Sequence, residues 1–142
     1  MKLSQKTISR LKKNYGDMVL ITGATSGIGR ELSIKFGQAN FKLIITGRNE
    51  KELQSLSTFL FDNYSTESIP IKGDLCEEND IKKLLKETNH LPIGIAILNA
   101  GVGTSGKFID SDISKELKMI DLNCKAVAQM AHHFANKMKG QI

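Results

Sequence analysis

Gly23, Gly27 and Gly29 are spaced Gly-x-x-x-Gly-x-Gly, with Thr25, Ser26 and Ile28 among the residues between them, and the largely apolar run from Asp17 to Thr22 leads straight into them. A strand that ends in a glycine-rich turn at the start of a helix suits a diphosphate. Missing β-carbons let the backbone come close to the ligand, and the first helical amides point at it along the positive end of the helix dipole. The ligand that this chemistry fits is a dinucleotide. The plainer alternative is a strand-turn-helix whose glycines serve only the turn, so other strand ends must carry matching chemistry.

Two of them do so on residue type. A dinucleotide-binding sheet that prefers NAD places Asp or Glu at the end of its second strand to accept from the ribose hydroxyls. This chain has Gly47 there, followed by Arg48. An acid would repel a 2'-phosphate, whereas Gly47 leaves space and the forked guanidinium of Arg48 matches phosphate oxygens. NADP(H) is therefore the expected cofactor, against the reading of Arg48 as an ordinary surface residue in a turn. The apolar strand ending at Leu98 runs into Asn99-Ala100-Gly101, about seventy residues after the glycine turn. Small residues there let backbone approach a cofactor's ribose, and the Asn side chain can tie neighbouring loops together.

Taken together, the glycine spacing with Thr22, Ser26 and Ile28, and the Asn-Ala-Gly element, resemble the short-chain dehydrogenases/reductases. The resemblance covers almost the whole chain but only about the first half of that family's fold. It implies an oxidoreductase that interconverts a small-molecule carbonyl and alcohol by hydride transfer, with NADP(H) as cofactor. It also implies that Asp74 and Leu75, at the end of the third strand, hold the adenine; Asp74 could equally cap the next helix or close the turn. Asn123 falls where the family carries an Asn thought to hold a water that relays protons to a catalytic lysine. The bland alternative is a mid-helix Asn facing solvent.

The catalytic side of that family is a Ser on a fifth strand and a Tyr-x-x-x-Lys on the helix after it. Here the residues four positions after Tyr15 and Tyr64 are Val19 and Ser68, and the sequence given stops at Gly140-Gln141-Ile142, where a fifth strand would begin. Reducing a carbonyl needs a proton donor poised near neutral pH, and a phenol with an unperturbed pKa of about 10 needs a nearby cation to serve. The chain is thus expected to be the cofactor-binding portion, inactive by itself. The alternative is a non-catalytic dinucleotide sensor or interaction module, and a more distant one is a scaffold using a basic N-terminal helix on nucleic acid.

These residues need a frame to hold them. Strands are expected over 17–22, 41–46, 68–73 and 93–98, the last apolar at every position save Gly94 and so covered on both faces. Pro70 fits an outer strand. Helices are expected from about Ile28 to Ala39 with Asn40 at the end, from Glu50 to Asp62, and from Glu77 to Glu87 with Ile81, Leu84 and Leu85 inward. The alternation gives an α/β, Rossmann-type, doubly wound parallel sheet of order 3-2-1-4 without the C-terminal catalytic half. Residues 16–142 make up this domain, and ligands bind beyond the carboxyl ends of its strands.

Residues 1–15 form a short basic amphipathic helix, with Leu3, Ile8, Leu11 and Tyr15 on one side and Lys2, Lys6, Arg10, Lys12 and Lys13 on the rest. It is either a membrane- or partner-binding arm or a solvated helix folded against its own domain. A long helix over 112–139, with Ser111 as N-cap, carries two apolar stripes. One holds Leu117, Ile120, Cys124, Val127 and Ala131; the other holds Met119, Leu122, Ala126 and Met130. One can pack on the sheet and the other needs a partner, so a homo-oligomer is expected, as the resemblance also implies.

Composition bounds the rest. A chain of 142 residues is one globular domain. Its 20 Lys and Arg against 15 acids give a net charge of +5, spread without the dense basic blocks or interleaved aromatics of a nucleic-acid surface, so no nucleic-acid partner is expected. Cys76 and Cys124 lie far apart with no signal peptide in view, which points to a reducing cytoplasm. No apolar run reaches membrane-spanning length, His90, His132 and His133 lack the spacing of a metal site, and no Walker-type lysine follows the glycines.

Overall fold

The computed structural model describes residues 3–140; Met1, Lys2, Gln141 and Ile142, which belong to the expected N-terminal helix and to the approach to a fifth strand, lie outside them. Strands β1 (Met18–Thr22), β2 (Lys42–Gly47), β3 (Ser68–Lys72) and β4 (Ile95–Ile97) form one parallel sheet in the order β3-β2-β1-β4. Helices α2 (Gly27–Gln38), α3 (Glu50–Tyr64) and α4 (Glu78–Thr88) connect them. The expected Rossmann-type α/β order is the observed one.

Both faces of the sheet are covered, which is why β1 and β2 read as unbroken apolar runs. Val19, Ile21, Leu43 and Ile45 point to one side, where Leu53, Leu56 and Leu60 of α3 complete a core. Leu20, Ile44 and Ile71 point to the other and meet Ile81 and Leu84 of α4. Each fully buried side chain of this size contributes about 1.5–3 kcal/mol. Asn49 caps α3 by accepting from the amides of Lys51 and Glu52. Asn40, at φ +55°, follows the end of α2 in the left-handed conformation that stops a helix.

The N-terminal segment forms α1 (Gln5–Tyr15), started by Ser4, whose hydroxyl accepts from the Thr7 amide. Leu3, Ile8 and Leu11 pack against the core around Phe41 and Leu43. Lys12 donates to the Asn40 carbonyl at 2.7 Å and lies 4.9 Å from the Phe41 ring centroid. Of the two expectations for this helix, the structure has the one folded against its own domain. A β-carbon at Gly94 would sit 1.4 Å from the Tyr15 carbonyl oxygen, so this approach requires glycine.

Three expectations need correction. The fourth strand pairs only over Ile95–Ile97, and these residues are half-buried, not covered on both faces, because β4 is a sheet edge with β1 alone beside it. The N-cap of the long helix is Asp112, which accepts from the Ser114 amide; Ser111 instead donates to the Phe108 carbonyl and closes a 3₁₀ turn over Phe108–Asp110. The helix itself is not one α-helix. It runs as α5 (Ile113–Ile120), a π-helical segment (Asp121–Ala126) and α6 (Val127–Lys139). A π turn widens the ring by a residue and rotates everything beyond it, which a stripe of apolar residues tolerates without showing a break.

Of the two stripes, Leu122, Ala126 and Met130, extended by Phe134, pack on the sheet. Leu117 and Ile120 are 54% and 53% exposed, and Cys124 and Ala131 are exposed with them. Among the described residues no helix is long and apolar enough to cross a membrane.

Candidate functional site

The carboxyl ends of all four strands surround one cleft of about 340 Å³, within the size range of small-ligand sites. The glycine turn forms one wall. Gly23 and Gly27 have positive φ, +64° and +51°, and for Gly27 nothing lies within 4 Å of where a β-carbon would stand, so its backbone faces open space. Gly29 has the opposite reason to be glycine: a β-carbon there would come within 2.2 Å of the Gly23 carbonyl oxygen and 2.6 Å of Asn99 Nδ2. Gly29 lies under the turn and outside the cleft lining.

Helix α2 opens at Ser26, whose side chain makes no capping hydrogen bond, and its first backbone bond is from Arg30 N to the Ser26 carbonyl. The amides at the start of α2 therefore have no intrahelical acceptor. They lie at the cleft wall formed by Ser26, Gly27 and Ile28, with Thr25 beside them. Ile28 is 73% exposed, so the apolar spacing of α2 buries Leu32 and Phe36 in part but leaves Ile28 over the cleft. An uncapped helix start with positive-φ glycines fits an anionic diphosphate.

Gly47 and Arg48 form the next wall, with Arg48 exposed. The space at Gly47 is narrower than its lack of a side chain suggests, since a β-carbon there would meet Thr25 Cγ2 at 3.0 Å and Oγ1 at 3.3 Å. A larger residue at the end of β2 would push on the glycine turn itself.

Asp74 and Leu75 follow at the end of β3. The Asp74 carboxylate accepts from the Cys76 amide at 3.0 Å, and its own amide donates to Asp80 Oδ2 at 2.7 Å. Asp74 thus closes the turn while also lining the cleft. Asp80 was legible only as an acid in the first turn of α4; its bond back to Asp74 needed the turn geometry. Cys76 shares this turn, and burial first, then the Asp74 charge, pushes its thiol above its ordinary pKa, so it remains protonated.

Asn99-Ala100-Gly101 lines the cleft beyond β4, and a latch ties it to β1. Asn99 Nδ2 donates to the Thr22 and Gly23 carbonyls at 3.0 and 3.4 Å, and the Ala100 amide donates to Thr22 Oγ1 at 2.9 Å. Thr22, fully buried, is the hub, whereas the sequence pattern has it only as the last residue of the first strand. Asn123 sits in the π segment behind this wall, where its Oδ1 accepts from Val102 N at 3.0 Å and its Nδ2 donates to the Val102 carbonyl at 2.7 Å. Its side chain is engaged with backbone and does not line the cleft. Among the described residues no cluster of His, Cys, Asp and Glu could hold a metal.

The sequence pattern of the family described as short chain dehydrogenase matches residues 17–142. A 7β-hydroxysteroid dehydrogenase of Clostridium sardiniense is 23% identical over 90% of this chain and 49% of its own length. A 3-oxoacyl-[acyl-carrier-protein] reductase of Rickettsia prowazekii is 35% identical over 78% of this chain and 44% of its own. Among solved structures, a short-chain dehydrogenase from Sphingobium yanoikuyae in complex with NADPH superposes with a TM-score of 0.81 at 30% identity, covering 84% of this chain and 47% of that one. The chain spans about half the length of the relatives it matches. Helix α1 lies ahead of the matched region, and from residue 17 onward this chain belongs to the short-chain dehydrogenase family.

Proposed function

We propose that this chain is the cofactor-binding portion of an NADP(H)-dependent oxidoreductase that interconverts a small-molecule carbonyl and alcohol, and that it does not turn over alone. The observation that carries the reading is the cleft itself, in which the uncapped start of α2 and the exposed Arg48 border one space with no acid at the end of β2. In this reading the amides of Gly27 and Ile28 with Thr25 and Ser26 bind the diphosphate, Gly29 serves the site by letting the turn pack on Asn99 beneath them, and Gly23 gives the diphosphate backbone access. Arg48 takes the 2'-phosphate, Asp74 and Leu75 the adenine, and Asn99, Ala100 and Gly101 the ribose. When bound, the nicotinamide supplies the hydride. Asn123 contributes by fixing Val102, with its side-chain amide committed to that task.

The NADPH complex of the Sphingobium relative supports this choice of cofactor. The exposed stripe on α5 supports a homo-oligomer through the helix over 112–139. Two free cysteines, Cys76 and Cys124, suit a cytoplasmic protein.

The test is a fluorescence titration with NADPH and NADH, comparing the native chain with Arg48→Asp. We expect tighter NADPH binding in the native chain and a reversed preference in the variant, a change on the order of 10–100-fold for exchanging a charge-assisted phosphate contact for a repulsive one. Unchanged preference overturns the assignment of Arg48, and no binding of either nucleotide overturns the reading as a whole. A second reading is a dinucleotide sensor without catalysis. Cofactor binding without turnover in a natural gene product of this length would select it.

A further inference from the structure

We infer that Glu116 is a positioning residue that straps the segment after Asn-Ala-Gly onto the long helix and so sets one wall of the nucleotide cleft. Glu116 lies in α5 and is 7% exposed, an unusual place for a carboxylate. Removing a charge from water costs free energy unless hydrogen bonds compensate it. Here the compensation comes from the loop: Thr104 Oγ1 donates to Glu116 Oε2 at 3.1 Å. Seven residues further along the same helix, Asn123 holds both the amide and the carbonyl of Val102. Two side chains from one helix therefore grip positions 102 and 104 of a segment whose residues are otherwise exposed.

The grip bears on the cleft because Val102 lines it, as does Gly101 just before. Glu116 and Asn123 are seven residues apart, close to two helical turns, so they lie on one side of the helix and reach the same loop, Glu116 from α5 and Asn123 from within the π segment. Glu116 touches neither the cleft nor its ligand, and its effect passes through Thr104. A Leu or Phe at position 116 would be cheaper to bury and would leave Thr104 without its acceptor.

The strap is independent of nucleotide, while its effect on binding rests on the NADP(H) reading, so two measurements separate them. The first is hydrogen exchange over residues 101–107 in the full 142-residue chain without ligand. Thr104→Val, on an exposed loop where folding is not at issue, and Glu116→Gln and Glu116→Ala are compared with the native chain. We expect about tenfold faster exchange in Thr104→Val and in Glu116→Ala, the effect of losing one hydrogen bond to a charged group. The double variant Thr104→Val with Glu116→Ala is expected to add nothing further, and Thr104→Ser to restore native exchange. Unchanged exchange in Thr104→Val, or additive effects in the double variant, overturns the proposal. The second is an NADPH titration, where we expect Thr104→Val to weaken binding several-fold and Thr104→Ser to rescue it. If the native chain binds no NADPH, the nucleotide reading fails while the exchange result still decides the strap.

Discussion

Two glycines two positions apart in the same turn are glycine for different physical reasons, and substitution separates them. Gly27 needs its positive φ but has open space around it, whereas Gly29 is pressed against the Gly23 carbonyl and the Asn99 amide that latches β4 to β1. Gly27→Ala is expected to cost about 1 kcal/mol of backbone strain. Gly29→Ala must move backbone or break the latch, and is expected to cost about 2–3 kcal/mol. Urea unfolding of the two variants measures the difference. Equal losses would show that the turn is not packed on Asn99 in this way. The glycine spacing was legible in the sequence because both demands exclude side chains. Which demand acts at which position was not, since it depends on Asn99, which is distant in sequence and arrives from the neighbouring strand β4. The same limit hid the role of Thr22, whose partner Ala100 is 78 residues away, while that of Asp80 was hidden by the geometry of the turn that brings it back to Asp74.

At the scale of elements, periodicity revealed β1, β2 and the helices between them because each buries one stripe or both faces in a core. It overreached on β4, where composition signals burial but pairing on one side only leaves Ile95, Ala96 and Ile97 half-exposed. It also missed the π segment, which changes hydrogen-bond ring size without breaking the apolar stripe. Helix α6 packs beside α4 with a histidine in the contact. His133 Nε2 is buried without a hydrogen-bond partner, and burial, followed by Lys137 and His132 nearby, holds the ring below its ordinary pKa. A lowered folded-state value means that the neutral ring favours the fold, so this contribution is present above the unfolded-state pKa of about 6.5 and is lost as pH falls through it. Native protein is expected to lose more stability between pH 7.5 and pH 5.5 than His133→Leu does, measured as the shift in urea midpoint. Parallel shifts in the two proteins would remove His133 from the contact.

For the whole molecule, apolar surface is left open at the edge strand β4 and on α5. β4 is an edge with a single neighbour, while β3 at the opposite edge carries Pro70, which blunts pairing there. Beyond the carboxyl end of β4, Ile113, Leu117 and Ile120 of α5 are 60%, 54% and 53% exposed at helical spacing, so they share one face. Exposed apolar faces of this kind drive association. In the homo-oligomer proposed above, association with another copy takes this stripe out of water. The native chain is therefore expected to sediment as a concentration-dependent oligomer at micromolar concentration. Leu117→Lys places a charge at the centre of the stripe without disturbing the packed face of Leu122, Ala126 and Met130, and is expected to shift the protein to monomer by at least tenfold in dissociation constant, the equivalent of about 1.4 kcal/mol. Circular dichroism of the variant should remain native. A native chain that stays monomeric at tens of micromolar, or a variant that associates as strongly as its parent, would show that α5 is not the associating surface.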